Sequence, residues 1–138
     1  MQTTYQTAAV HNNGRLLRSA LRGNGVFSTL SGFLFLLMPT AVATFLGWPT
    51  YGWLLMLVGA VLLLYAGLLF WEARKPELNR GFAKTAVFMD LAWVIGSALI
   101  LLLGTPALTI GGMWAVGLVA DAVLVFAILQ AIGLRRLA

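Results

Sequence analysis

The sequence predicts an all-α membrane protein, with four transmembrane helices forming two hairpins in a compact antiparallel bundle and both termini cytoplasmic. Three observations point there. First, 61% of the 138 residues are hydrophobic and 9% are charged, against roughly 45–50% and 25% in ordinary soluble domains. Mean hydropathy is +0.94. A small domain buries the smallest fraction of its chain, so a soluble fold has no way to hide this much apolar surface. Second, the apolar residues fall into four long stretches. Third, the basic residues gather at alternate ends of those stretches.

Residues 1–14 (MQTTYQTAAVHNNG) are polar and aperiodic, and are expected as a mobile N-terminal tail. Residues 15–138 form a single four-helix transmembrane domain. A cleaved secretory signal is not expected, because the first apolar stretch is long enough to span and sits behind Arg15, Arg18 and Arg22. The segment RLLRSALR (15–22) puts those arginines on one helical face. Either it lies along the lipid headgroups or it extends the first helix with snorkelling arginines.

A spanning helix needs about 20 mostly apolar residues. The four stretches run from about Asn24 to Leu46, Tyr51 to Trp71, Phe82 to Leu103 and Ile110 to Leu134. Pro39 predicts a kink or early end in the first, because proline lacks the amide hydrogen and clashes with the preceding turn. Gly-Trp-Pro-Thr (47–50) and Gly-Thr-Pro (104–106) are turn sequences. Their shortness predicts the two hairpins.

Nine basic residues set the expected orientation. Arg15, Arg18 and Arg22 precede the first span. Arg74, Lys75, Arg80 and Lys84 lie around the middle loop, and Arg135 and Arg136 follow the last span. Loops 47–50 and 104–109 carry no charge. The positive-inside rule then places both termini and the middle loop in the cytoplasm, in a bacterial cytoplasmic (inner) membrane. Trp48, Trp53 and Trp114 fall near the uncharged side and Trp71 at the other, as aromatic belts do.

Composition also excludes chemistry. The chain has no cysteine, and its single histidine, His11, lies in the polar N-terminal stretch. Disulfides, thiolate catalysis and iron–sulfur clusters are excluded, as is a haem held by two membrane histidines. No cofactor and no metal site are expected. The net charge of +5 reads as topology signals and lipid-headgroup contacts, so no nucleic acid partner is expected. No nucleophile–base pair or phosphate-binding loop is present, and an enzyme is not expected.

Two carboxylates sit inside the predicted spans. An Asp at a helix centre costs about 2.5–3.5 kcal/mol on insertion scales, and intramembrane acids are functional candidates by default. Asp121 lies about 21 Å from Arg135 at 1.5 Å per residue, near the midplane. Asp90 is only about 9 Å beyond Lys84. Ser28, Tyr65 or Ala66, and Gln130 or a neighbour are expected in the layer of Asp90. Ser97 and Val58 or Gly59 belong to the layer of Asp121. Spacing puts Asn24, Ser28 and Ser31 on one stripe of the first helix, and Asp90, Trp93 and Ser97 on one stripe of the third. Asp121 is expected to face the bundle with Ser97 as its partner. Gln130, nine residues on, then points the opposite way, which argues against an Asp90–Gln130 pair.

The expected ligand- or proton-binding set is therefore Asn24, Ser28, Tyr65, Asp90, Trp93, Ser97 and Asp121, with Ser31 on the same stripe. The plainer account of the serines is interhelical hydrogen bonding, which averages about 0.6 kcal/mol. The functional expectation is a binding or accessory protein that holds a lipid-like or quinone-like molecule, or docks on a larger membrane complex. The alternative is an oligomeric proton-coupled transporter of small molecules using Asp121. Expected partners are membrane lipids, such a ligand, and copies of itself or a larger complex.

Overall fold

A computed structural model describes residues 2–104 and 107–137, with side chains described from Gly14 onward. Among these residues the chain is helical, with no strand. The elements are α1 (Gln2–Leu37), α2 (Pro39–Leu46), α3 (Gly52–Arg74), α4 (Arg80–Leu103) and α5 (Ile110–Leu137), with a single 3-10 turn at Pro49–Tyr51. Four segments are long and apolar enough to cross a membrane: Gly14–Leu37, Pro49–Arg74, Arg80–Leu103 and Ile110–Leu137.

Two boundary expectations need correction. Residues 2–14, expected as a mobile polar tail set apart from the first helix, are helical and continuous with the rest of α1. No proline interrupts this stretch, so nothing in the backbone forces a break before Arg15. The first span lies nearer the N-terminus than expected, ending at Leu37 rather than near Leu46. Pro39 is the cause: it starts the separate helix α2. The backbone still bonds across the joint, with Met38 N donating to Leu34 O (3.0 Å) and Val42 N to Met38 O (3.1 Å). The result is a kink. Gly47 then ends α2 in the left-handed region at φ 96°, where glycine carries no Cβ penalty.

The segment 15–22 is a continuous part of α1 and packs into the bundle. Leu17 and Leu21 are fully buried, in a cluster with Leu69, Ala73, Ala83 and Ala86. Arg18 reaches from α1 to the α3–α4 turn, its guanidinium donating to Lys75 O (2.9 Å) and Pro76 O (3.4 Å). Asn79 caps α4, accepting from Phe82 N (3.2 Å).

α1 packs mainly against α3 and α5, and α4 against α5. Small residues fill the interior. Of the thirteen buried apolar residues among those described, seven are alanine. Trp53, Leu64, Trp71, Phe88, Leu102 and Trp114 all point outward. That inversion suits a lipid solvent, in which association rests on close van der Waals approach and not on hiding large side chains. α1 and α3 touch at Gly32 and Gly59: a Cβ on Gly59 would sit 2.8 Å from the Gly32 carbonyl oxygen. α1 and α5 touch at Gly133, where a Cβ would sit 2.7 Å from Leu17 N.

Candidate functional site

One layer of the bundle receives a polar side chain from each of the four long helices. Asp90 of α4 stands at its centre, buried. Asn24 of α1 donates to Asp90 Oδ2 through Nδ2 (2.7 Å), and Gln130 of α5 donates to the same oxygen through Nε2 (2.6 Å). Tyr65 of α3 donates its hydroxyl to Asp90 Oδ1 (3.0 Å). Ser28 donates to Asn24 Oδ1 (3.3 Å), one turn along α1. The same Gln130 amide also donates to Phe126 O (2.9 Å). A carboxylate offers about four lone-pair sites, and three donors occupy this one.

This layer opens onto a long apolar space. A cavity of about 380 Å³ is lined by Asn24, Ser28, Ser31, Tyr65, Asp90 and Trp93 at its polar end, with Leu, Phe and Val side chains beyond. A second cavity of about 570 Å³ continues toward α2, Trp48 and Ser97. Leu34, Phe35, Val58, Trp93 and Val119 border both. From Asp90 to Ile100 along α4 is about 15 Å at 1.5 Å per residue. Each cavity lies within the range of about 300–1,000 Å³ usual for small-molecule sites.

The expected set is thus partly gathered. Asn24, Ser28, Tyr65 and Asp90 meet in one network, Trp93 borders both cavities, and Ser97 lines the one toward α2. Asp121 does not join them. It lies exposed on the outer face of α5, while Gln130 is completely buried. The expectation that Asp121 faces the bundle with Ser97 as partner is corrected, and so is the argument against an Asp90–Gln130 pair.

The relative phase was right: the two α5 residues do point in opposite directions. The aspartate does not mark the inner face. The inner face of α5 is set by its small residues, Gly112, Ala127 and Gly133, which are all buried. Gly112 and Gln130 are each nine residues from Asp121, about half a turn out of phase at 100° per residue. That small-residue face was the signal available in the sequence for Gln130.

A second buried polar residue, Glu72, lay outside the expected set. At the end of α3 it pairs with Lys75 Nζ (2.9 Å) and accepts from the Asn79 backbone amide. It holds the α3–α4 turn closed and takes no part in the cavity. Among the described residues no three His, Asp or Glu side chains gather as metal ligands.

Comparison with known protein families, with characterised proteins and with solved structures finds no match to this chain.

Proposed function

We propose that the chain is a multi-pass protein of a bacterial cytoplasmic membrane, its termini cytoplasmic and its helices paired as two hairpins, that binds a lipid-like or quinone-like amphiphile without catalysing a reaction. One observation carries the reading: a long apolar cavity ends on a four-helix polar network centred on Asp90. An amphiphile matches that asymmetry. Its tail would lie along Leu34, Phe35 and Val58. Its polar head would meet Ser31, Tyr65 and the free lone-pair direction of Asp90, which suits a hydroxyl or amine donor, as a quinol or a hydroxyl- or amine-bearing lipid headgroup carries, rather than the acceptor carbonyls of an oxidised quinone. Binding is favoured over proton-coupled transport because Asp121 borders neither cavity.

The test is mass spectrometry of molecules co-purifying with the protein in mild detergent. A single amphiphile class at near-stoichiometric amount is expected. Val58→Trp, at the junction of the two cavities, should expel it, whereas Leu102→Ala on the outer face should not. If the wild type retains no amphiphile, or if Val58→Trp retains it unchanged, the reading fails.

A further inference from the structure

Asp121 poses a problem that the bundle itself does not solve. It is exposed on the outer face of α5, 14 residues before Arg135 in the sequence, hence about 21 Å from that end of the helix. A carboxyl facing lipid at this depth carries the full insertion cost of about 2.5–3.5 kcal/mol unless another group at the same depth bonds to it. Intramembrane acids as a rule face protein or a water-filled cavity, so the outer face of α5 calls for a protein neighbour.

The residues around Asp121 indicate which neighbour. Trp114, Leu118, Asp121, Val125, Ile128 and Ile132 are all exposed, and their spacing alternates strictly between four and three. This is the 3.5-residue repeat of a two-helix coiled-coil seam, with one polar residue within it, the device that fixes register in such seams. The seam also has a hole. A notch of about 290 Å³ is lined by Met113, Trp114, Gly117, Leu118 and Asp121. Four of these follow i, i+3, i+4, i+7, the arrangement that receives a knob from a facing helix. Gly117 keeps the notch open without serving the bundle: a Cβ there would meet only Leu101, at 4.0 Å.

We propose that α5 is a homodimer interface, with two copies packed in parallel along this seam and Asp121 hydrogen-bonded to the partner subunit's Asp121. Symmetry makes the match. Two copies inserted with the same topology hold α5 at the same depth, and a two-fold axis along the membrane normal brings each seam residue beside its own twin. A carboxyl group is both donor and acceptor when protonated and an acceptor when ionised, so a pair sharing a proton is complementary to itself. Leu118 of each copy is the knob that fits the other's notch.

Cysteine cross-linking in native membranes tests this, on a background free of cysteine. Leu118→Cys and Val125→Cys should form disulfide-linked dimers under mild oxidation. Leu64→Cys on α3 and Phe88→Cys on α4, equally outward, should not. In the Leu118→Cys background, Asp121→Asn should keep the cross-link, because paired amides also bond to each other. Asp121→Leu should weaken dimerisation by about three- to thirty-fold, the range of interhelical hydrogen bonds in membranes. Four results would each overturn the proposal: Leu118→Cys remaining monomeric, equal cross-linking at Leu64 or Phe88, cross-linking only to a different protein, or an unchanged yield in Asp121→Leu.

Discussion

Asp90 holds two donors on one oxygen and one on the other, and that asymmetry predicts how substitutions behave. In Asp90→Asn the amide oxygen can take the position facing Asn24 and Gln130. The new NH2 then faces Tyr65, whose hydroxyl accepts and turns its own hydrogen to Ala86 O, already 3.4 Å away. Asp90→Asn should therefore lower stability by about 1 kcal/mol or less, the net worth of a single hydrogen bond. Asp90→Leu removes the acceptor of Asn24 and Gln130, while Tyr65 can still turn to Ala86 O, and each buried unsatisfied group costs about 1–3 kcal/mol. Thermal unfolding in detergent should rank wild type and Asp90→Asn close together, with Asp90→Leu well below. An Asp90→Leu protein as stable as wild type would show that the network contributes no stability. At this scale the sequence was half legible. Depth along each helix follows from residue counting, and it places Ser28, Tyr65 or Ala66, and Gln130 or a neighbour in the layer of Asp90. Direction does not follow from counting, because a helix wheel gives relative angles and leaves open which angle faces in. Asp121 is the wrong reference for α5, because its carboxyl points out of this bundle while Gln130 points in.

Helix contacts depend on glycine at some positions and not at others, and this separates structural from incidental glycines. At Gly133 even a methyl would meet the backbone of Leu17 at 2.7 and 2.8 Å, so α1 and α5 must move apart to accept it. At Gly67 and Gly96 an added Cβ meets nothing within 4 Å. Gly133→Ala should thus destabilise by about 1–3 kcal/mol, as overpacking does. Gly67→Ala and Gly96→Ala should be neutral, or stabilise by up to about 1 kcal/mol through helix propensity. Unfolding temperatures of the three variants in one detergent check the contrast, and a Gly133→Ala protein matching Gly67→Ala would refute the close approach. Helix existence and three of the four spans were legible, because hydropathy is summed over some 20 residues and tolerates local exceptions. The first span was misplaced for the same reason. Arg15, Arg18, Arg22 and Asn24 dilute the hydropathy of a segment whose Leu17 and Leu21 are buried. The apolar run beyond Pro39 was counted in the same span, although the proline itself predicts the kink that separates α2.

Charge separates the two ends of the molecule. Arg18 bonds the α3–α4 turn, and Gly133 beside Leu17 brings the end of α5 to the same region. The basic clusters of α1, of the α3–α4 turn and of the α5 terminus therefore share one end of the bundle. The other end is tied by uncharged contacts: Trp48 Nε1 donates to Ala107 O (3.1 Å), and Thr109 N donates to Leu46 O (3.0 Å). Short loops rich in Lys and Arg are retained in the cytoplasm. Here the clusters before α1, between α3 and α4, and after α5 all favour the same side, so no helix is pulled against another. A protein with balanced ends would insert both ways; here nine basic residues stand against none on loops 47–50 and 104–109, which predicts one orientation that cysteine labelling tests. Single cysteines at Thr50 and Ala107, both exposed, should react in intact cells with a thiol reagent that cannot cross the membrane. One at Glu77, exposed in the α3–α4 turn, should react only after the membrane is permeabilised. Labelling of Glu77→Cys from outside with Thr50→Cys silent would invert the orientation. Equal labelling of both would mean two populations, and parallel pairing of α5 would then have to compete with antiparallel pairing, in which two Asp121 carboxyls meet only if both lie at the midplane.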